Sequence, residues 1–129
     1  MSTPLAGRTP AIEPDEAMVL LGGEALMIDV RDAHEWAAGH ALHAIHIAMD
    51  DLSGSTPYTT RTRRVIVVSR SGRRAQQAVI HLRAAGVDAV VLHGGLRAWV
   101  AAGGELVSDV GREPRIVGPQ HLWESDTAT

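Results

Sequence analysis

The run Val65-Ile66-Val67-Val68 sets four β-branched residues side by side with no polar residue between them. Such a strand has no solvated face, which is the condition of a parallel sheet covered by helices on both sides. The residues after it agree with that reading. A polar connection, Ser69-Arg70-Ser71-Gly72-Arg73-Arg74, leads into a segment whose Ala78, Val79, Leu82 and Ala85 share one helical face, with Gly86 as its stop.

The same alternation runs along the chain. Pro14 suits a first helical turn, Asp15 and Glu16 complement its dipole, and Gly22-Gly23 end it. Ala25 to Val30 has strand length and composition, and Asp32 can cap a helix through Trp36 to Ala38 that Gly39 closes. Ile45 to Ala48 reads as a short strand interrupted by His46, and Ser53 to Thr62 as a loop. Val87 to Leu92 is a further strand. Gly94-Gly95 turns the chain into a helix from Leu96 to Ala102, which Gly103-Gly104 close. Short strands alternating with helices predict an α/β fold of three layers, a mainly parallel central sheet flanked by helices. With 129 residues this is one domain. The expected divisions are a flexible 1–10, a domain over 11–106, and a partly ordered extension over 107–129 with Trp123 docked.

Composition narrows the function. A net charge of −3 gives no reason to expect nucleic acid or an acidic membrane as partner, and no apolar run reaches membrane-spanning length. A cytoplasmic protein without a cofactor is the expectation. Zero Cys excludes disulfides, thiolate metal sites and any thiol nucleophile. His40, His43 and His46 recur every three residues, but a metal would need all three to converge. Gly39 opens a loop and His46 falls in a strand, so the rings are expected to diverge, and no metal is expected.

Ligands of parallel α/β sheets bind beyond the carboxyl ends of the strands, where Ser69 to Arg74 lie. Backbone N–H groups of such a turn can converge on an anion, and the helix after it adds partial positive charge. Gly72 gives the turn its conformational freedom. Arg70, Arg73 and Arg74 add full charges, with Arg74 expected to fork the anion and Arg73 to lie on the outer helix face. Arg97 could reach the rim.

At this loop the chain resembles a single-domain rhodanese. Asp29-Val30-Arg31 with Glu35 is similar to the family's D-x-R…E pattern, and Gly39-His40 with Ala44-Ile45-His46-Ile47 to its G-H-I-x-G-A-x-x-I stretch. VIVVSRSGRR is similar to the strand and active-site loop, where the family has Cys-Arg-Ser-Gly-x-Arg, and His93-Gly94-Gly95 with Trp99 to the G-G-x-x-x-W segment. The resemblance covers Ile12 to Leu106. It implies structural roles for Asp29, Arg31, Glu35, His40, Gly94, Gly95 and Trp99. It also implies transfer of a sulfane sulfur through a persulfide on the loop's first residue, with a thiosulfate-like anion or another oxyanion as partner. The loop spans six positions, as in sulfurtransferases, against seven in the related cell-cycle phosphatases.

The chain departs from that pattern in three places. Ser69 stands where the family has Cys, and Ala41-Leu42-His43 replace I-x-G, so that turn is expected to be built differently. The segment from Asp51 to Arg64 carries few apolar residues, so the helix expected there is short or missing. A hydroxyl lacks thiol acidity and forms no persulfide. Ser69 would need a base to react, and His93 at a neighbouring strand end is a candidate; otherwise Ser69 donates a hydrogen bond to the loop or its anion. Two functions are consistent with these departures. One is a catalytically inactive binding or regulatory module that holds a small anion at Ser69, Arg70, Ser71, Gly72, Arg73 and Arg74. The other is a thiosulfate or persulfide sulfurtransferase represented by a Cys-to-Ser variant. A protein partner is left open.

Overall fold

The computed structural model describes residues 9–52 and 63–119. Along them run β1 (Ala11–Ile12), α1 (Pro14–Leu21), β2 (Leu26–Asp29), α2 (Ala33–Ala38), β3 (His40–Ala41) and β4 (Ile45–His46). Next come a 3₁₀ turn (Met49–Asp51), β5 (Val65–Val68), α3 (Arg73–Ala84), β6 (Ala89–Leu92), α4 (Gly95–Ala101) and β7 (Leu106–Val107). The loop expected at 53–62 and the docking of Trp123 lie outside the described residues. No described helix is long and apolar enough to cross a membrane.

Five strands make one parallel sheet in the order β1-β6-β5-β2-β4. The β-branched run is its central strand, and all four residues are fully buried. Alternation sends Val65 and Val67 to one face, where they pack with Ala75, Ala78, Val79 and Leu82 of α3. Ile66 and Val68 go to the other, with Ala17 of α1 and Leu96 and Trp99 of α4. One strand thus feeds two cores, which is why it needs four apolar residues in succession.

The helix ends obey local chemistry. Asp32 and Glu35 form a reciprocal capping box at the start of α2. At the end of α3, the Val87 N–H donates to the Leu82 carbonyl and the Gly86 N–H to the Arg83 carbonyl, with Gly86 at φ 91°. This is a Schellman motif. It corrects the strand expected from Val87: Val87 belongs to the helix stop, and β6 begins at Ala89.

Two further features lie at places the sequence singles out. β7 spans the boundary expected between the domain and its extension, and it pairs antiparallel with β3 (His40 with Val107, Ala41 with Leu106). A two-residue strand has no periodicity for a sequence to display. The turn from Ala41 to Ala44 closes by an Ala44 N–H to Ala41 carbonyl bond of 3.1 Å with His43 at φ 71°. His43 there takes the left-handed conformation that a glycine would adopt freely. An L-residue there costs about 1–2 kcal/mol, partly offset by the entropy a glycine would lose. Because the side chain is exposed, His43→Gly is expected to stabilise the fold by about 0.5–1 kcal/mol, read as a raised urea midpoint. A lowered midpoint would show that the imidazole makes a contact worth more than the strain.

Candidate functional site

The site forms where β2 and β5 end together. Asp29 lies opposite Val68, and the Val30 N–H donates to the Val68 carbonyl at 3.1 Å, so Arg31 and Ser69 leave the sheet side by side. Ser69 is buried, and its Oγ accepts from the N–H groups of Gly72 and Ala75, each at 3.2 Å. The oxygen is an acceptor at the meeting point of two amides. Ala75 was not among the residues singled out by the sequence. It was findable by counting: in a helix starting at Arg73 the third amide has no intrahelical partner and points out of the end. Gly72, at φ 113°, precedes α3 and brings its own amide round to the same atom. Two N–H donors and the N-terminus of the 12-residue α3 stabilise negative charge on whatever atom is bonded to the β-carbon of residue 69.

Of the three arginines of the loop, Arg74 departs from the expectation. Arg73 is exposed, at the first turn of α3. Arg74 does not fork toward the loop: its Nη1 and Nη2 donate to Glu35 Oε1 at 2.6 Å and Oε2 at 2.9 Å. That carboxylate is fully buried and holds the guanidinium. The Glu35 hydrogen bond raises the Arg74 pKa above its ordinary value, against burial and with added attraction from Glu35, Asp32 and Asp29. Arg74 therefore ties α3 to α2 and has its fork filled. Arg70 is half-buried, Ser71 exposed.

Beneath the loop, Arg31 and Asp29 are fully buried as a pair. Arg31 Nε donates to both Asp29 oxygens at 2.9 and 3.0 Å, and Nη2 to Oδ2 at 2.8 Å and to the Gly39 carbonyl at 2.7 Å. The Arg31 backbone N–H also donates to Oδ1. Arg31 Nη1 is buried with no hydrogen-bond partner among the described residues. His40 bonds through Nδ1 to the Trp36 carbonyl and stacks on the Trp36 ring at 3.5 Å between centroids. His46 bonds to the Arg31 carbonyl and also stacks with Trp36, at 5.0 Å. His43 stands in its exposed turn, so the three imidazoles do not converge on one point, and no described group of His, Asp or Glu has metal-site geometry. His93 pairs with Glu13 at 2.8 Å on the surface. No described His, Asp or Glu hydrogen-bonds Ser69 Oγ, so the Ser69–His93 nucleophile pair is not formed. Trp99 is buried in the core beside Leu96. Gly95, at φ 66°, faces the loop backbone, where a Cβ would lie 2.5 Å from the Arg70 carbonyl oxygen. The amides behind it bond that backbone, Leu96 to the Ser69 carbonyl at 2.8 Å and Arg97 to the Arg70 carbonyl at 3.4 Å.

The Rhodanese-like domain family model matches residues 13–102. A candidate sulfurtransferase of Bacillus subtilis, YtwF, is 32% identical over 88 residues, which are 68% of this chain and 79% of that protein. The crystal structure of a rhodanese-like domain protein from Staphylococcus aureus is 29% identical with a TM-score of 0.65, covering 82% of this chain and 98% of that one. The crystal structure of the Alr3790 protein from Anabaena is 26% identical with a TM-score of 0.70, covering 77% and 81%.

Proposed function

The chain belongs to the rhodanese-like domain family, and within it we propose that this protein is a binding module that holds a small anion at its Ser69–Arg74 loop without transferring sulfur. The observation that carries this reading is the seat of Ser69 Oγ. Two amides and a helix N-terminus converge on it, and no described base bonds to it. The surroundings suit negative charge, while the atom at their centre cannot bear the sulfur–sulfur bond through which a persulfide forms. A thiosulfate-like sulfur oxyanion, or another small oxyanion, matches the charge of such a cradle. The likeness to a candidate sulfurtransferase supports the sulfur-bearing choice. A second reading, a sulfurtransferase represented by a Cys-to-Ser variant, has the same geometry in its favour, because both amides remain aimed at the reacting position.

Calorimetric titration with thiosulfate and an assay of thiocyanate formation from thiosulfate and cyanide test the proposal together. The expected result is saturable binding to one site per chain with no thiocyanate above background. Binding should weaken by about 1.5–3 kcal/mol in Arg70→Ala, the range for hydrogen bonds to charged groups, and stay unchanged in Arg73→Ala. Thiocyanate produced by the Ser69 chain would overturn the proposal.

A further inference from the structure

Arg70 is the half-buried cation of the loop that no described carboxylate pairs. Arg74 is held by Glu35, and Asp29 is taken by Arg31. The Arg70 backbone is nevertheless gripped on one side by the start of α4. Gly95 leaves no room for a side chain between α4 and the Arg70 carbonyl, and the Arg97 amide reaches that same oxygen.

The grip on its side chain comes from the chain beyond α4. After pairing β7 with β3, the chain returns across the end of α2, where the Asp109 N–H donates to the Ala37 carbonyl and the Arg115 N–H to the Ala38 carbonyl, both at 3.0 Å. Ile116 packs into the core shared with α1 and α4, and Pro119 is buried. Between these two anchors lies Gly118. A Cβ there would stand 3.3 Å from Arg70 Nη1 and 3.9 Å from Cζ, so the guanidinium rests on bare backbone. These residues fall outside the 13–102 that the family model matches.

From this we infer that Gly118 is a positioning residue for the anion site: it seats the Arg70 guanidinium, the half-buried charge that the Ser69–Arg74 loop keeps available. The inference rests on the anion-holding reading above. A guanidinium that lies against the Gly118 backbone, on a residue whose carbonyl is bonded by Arg97, has fewer conformations open to it before an anion arrives, so less of the interaction is lost to ordering it. A side chain at 118 would push it off that seat by a few tenths of an ångström for Ala and further for Val.

Two measurements on the full chain test this. In the ligand-free protein, ¹⁵N relaxation of the Arg70 Nε–H should report an ordered side chain, and in Gly118→Val the order parameter should fall below about 0.6. By calorimetry with thiosulfate, Gly118→Val should raise Kd roughly three- to tenfold and Gly118→Ala less, at an unchanged melting temperature. In an Arg70→Ala background, Gly118→Val should add less than about twofold, since the two act as one unit. An unchanged Arg70 order parameter, or a Gly118→Val effect that persists in full without Arg70, overturns the inference. Should Gly118→Val unfold, the same comparisons are made with Gly118→Ala. A fall in order in a chain that binds no thiosulfate even unaltered supports the seat and overturns the anion-holding reading instead.

Discussion

Asp29→Ala is expected to destabilise the fold by about 3–5 kcal/mol, the cost of stranding one partner of a buried ion pair. Arg31 is fully buried, and Asp29 supplies every acceptor for its Nε and one of two for its Nη2. The Gly39 carbonyl alone would be left to a charge already carrying one nitrogen without a described partner. The effect should appear as a drop of roughly 10–20 °C in melting temperature and a large fall in the urea midpoint. Adding Arg31→Met removes the stranded charge and should recover part of the loss, even though the Gly39 carbonyl then goes unpaired. A loss below about 1 kcal/mol in the single variant would mean that water reaches Arg31. The double variant falling as far as the sum of both singles would show that the two residues do not act as a pair.

The contrast between this pair and the Glu35–Arg74 pair shows what a sequence of this kind makes visible. Asp29 and Arg31 are two residues apart at a strand end, so their interaction is nearly local. Asp32 and Glu35 likewise carry the spacing of a capping box, and the helix they start is legible from Asp32 alone. Glu35 and Arg74 lie 39 positions apart. Their meeting depends on β2 and β5 being neighbours in register, which no local pattern encodes. Hence the sequence places Arg74 correctly in the loop yet points it at an anion instead of at Glu35. The core is legible for the opposite reason: Val65 to Val68 need burial on both faces whatever surrounds them. β7 and Gly118 stay hidden because backbone contacts place them, and a glycine's role in a close approach leaves no mark in its own sequence neighbourhood. His43 marks a third kind of limit, since the chain keeps a left-handed turn with a residue that does not favour it.

Ser69→Cys is expected to turn the chain into a working sulfurtransferase. Exchanging oxygen for sulfur changes little in volume, and the buried position already accepts hydrogen bonds from Gly72 and Ala75. A free thiol ionises at a pKa of about 8.5, and a helix N-terminus with converging amides lowers it, so at neutral pH the thiolate would be well populated. That thiolate attacks the sulfane sulfur of thiosulfate, forming the persulfide S–S bond as the bond to sulfite breaks. Cyanide then takes the outer sulfur as thiocyanate and returns the thiolate. Neither step requires a base at the site, which agrees with the lack of one among the described groups bonded to residue 69. Thiocyanate formation should rise at least about a hundredfold over the Ser69 chain, well inside the roughly 10⁶-fold that loss of a protease nucleophile costs. The rate should climb with pH through the thiol's lowered pKa and then level off. A folded, thiosulfate-binding but inert Ser69→Cys protein would show that more than the nucleophile is missing, and would leave the binding module as the reading that survives. High activity would show that only the nucleophile separates this cradle from a sulfur-transferring one, and would leave the Cys-to-Ser variant reading standing beside the binding module, since both keep the same two amides at residue 69.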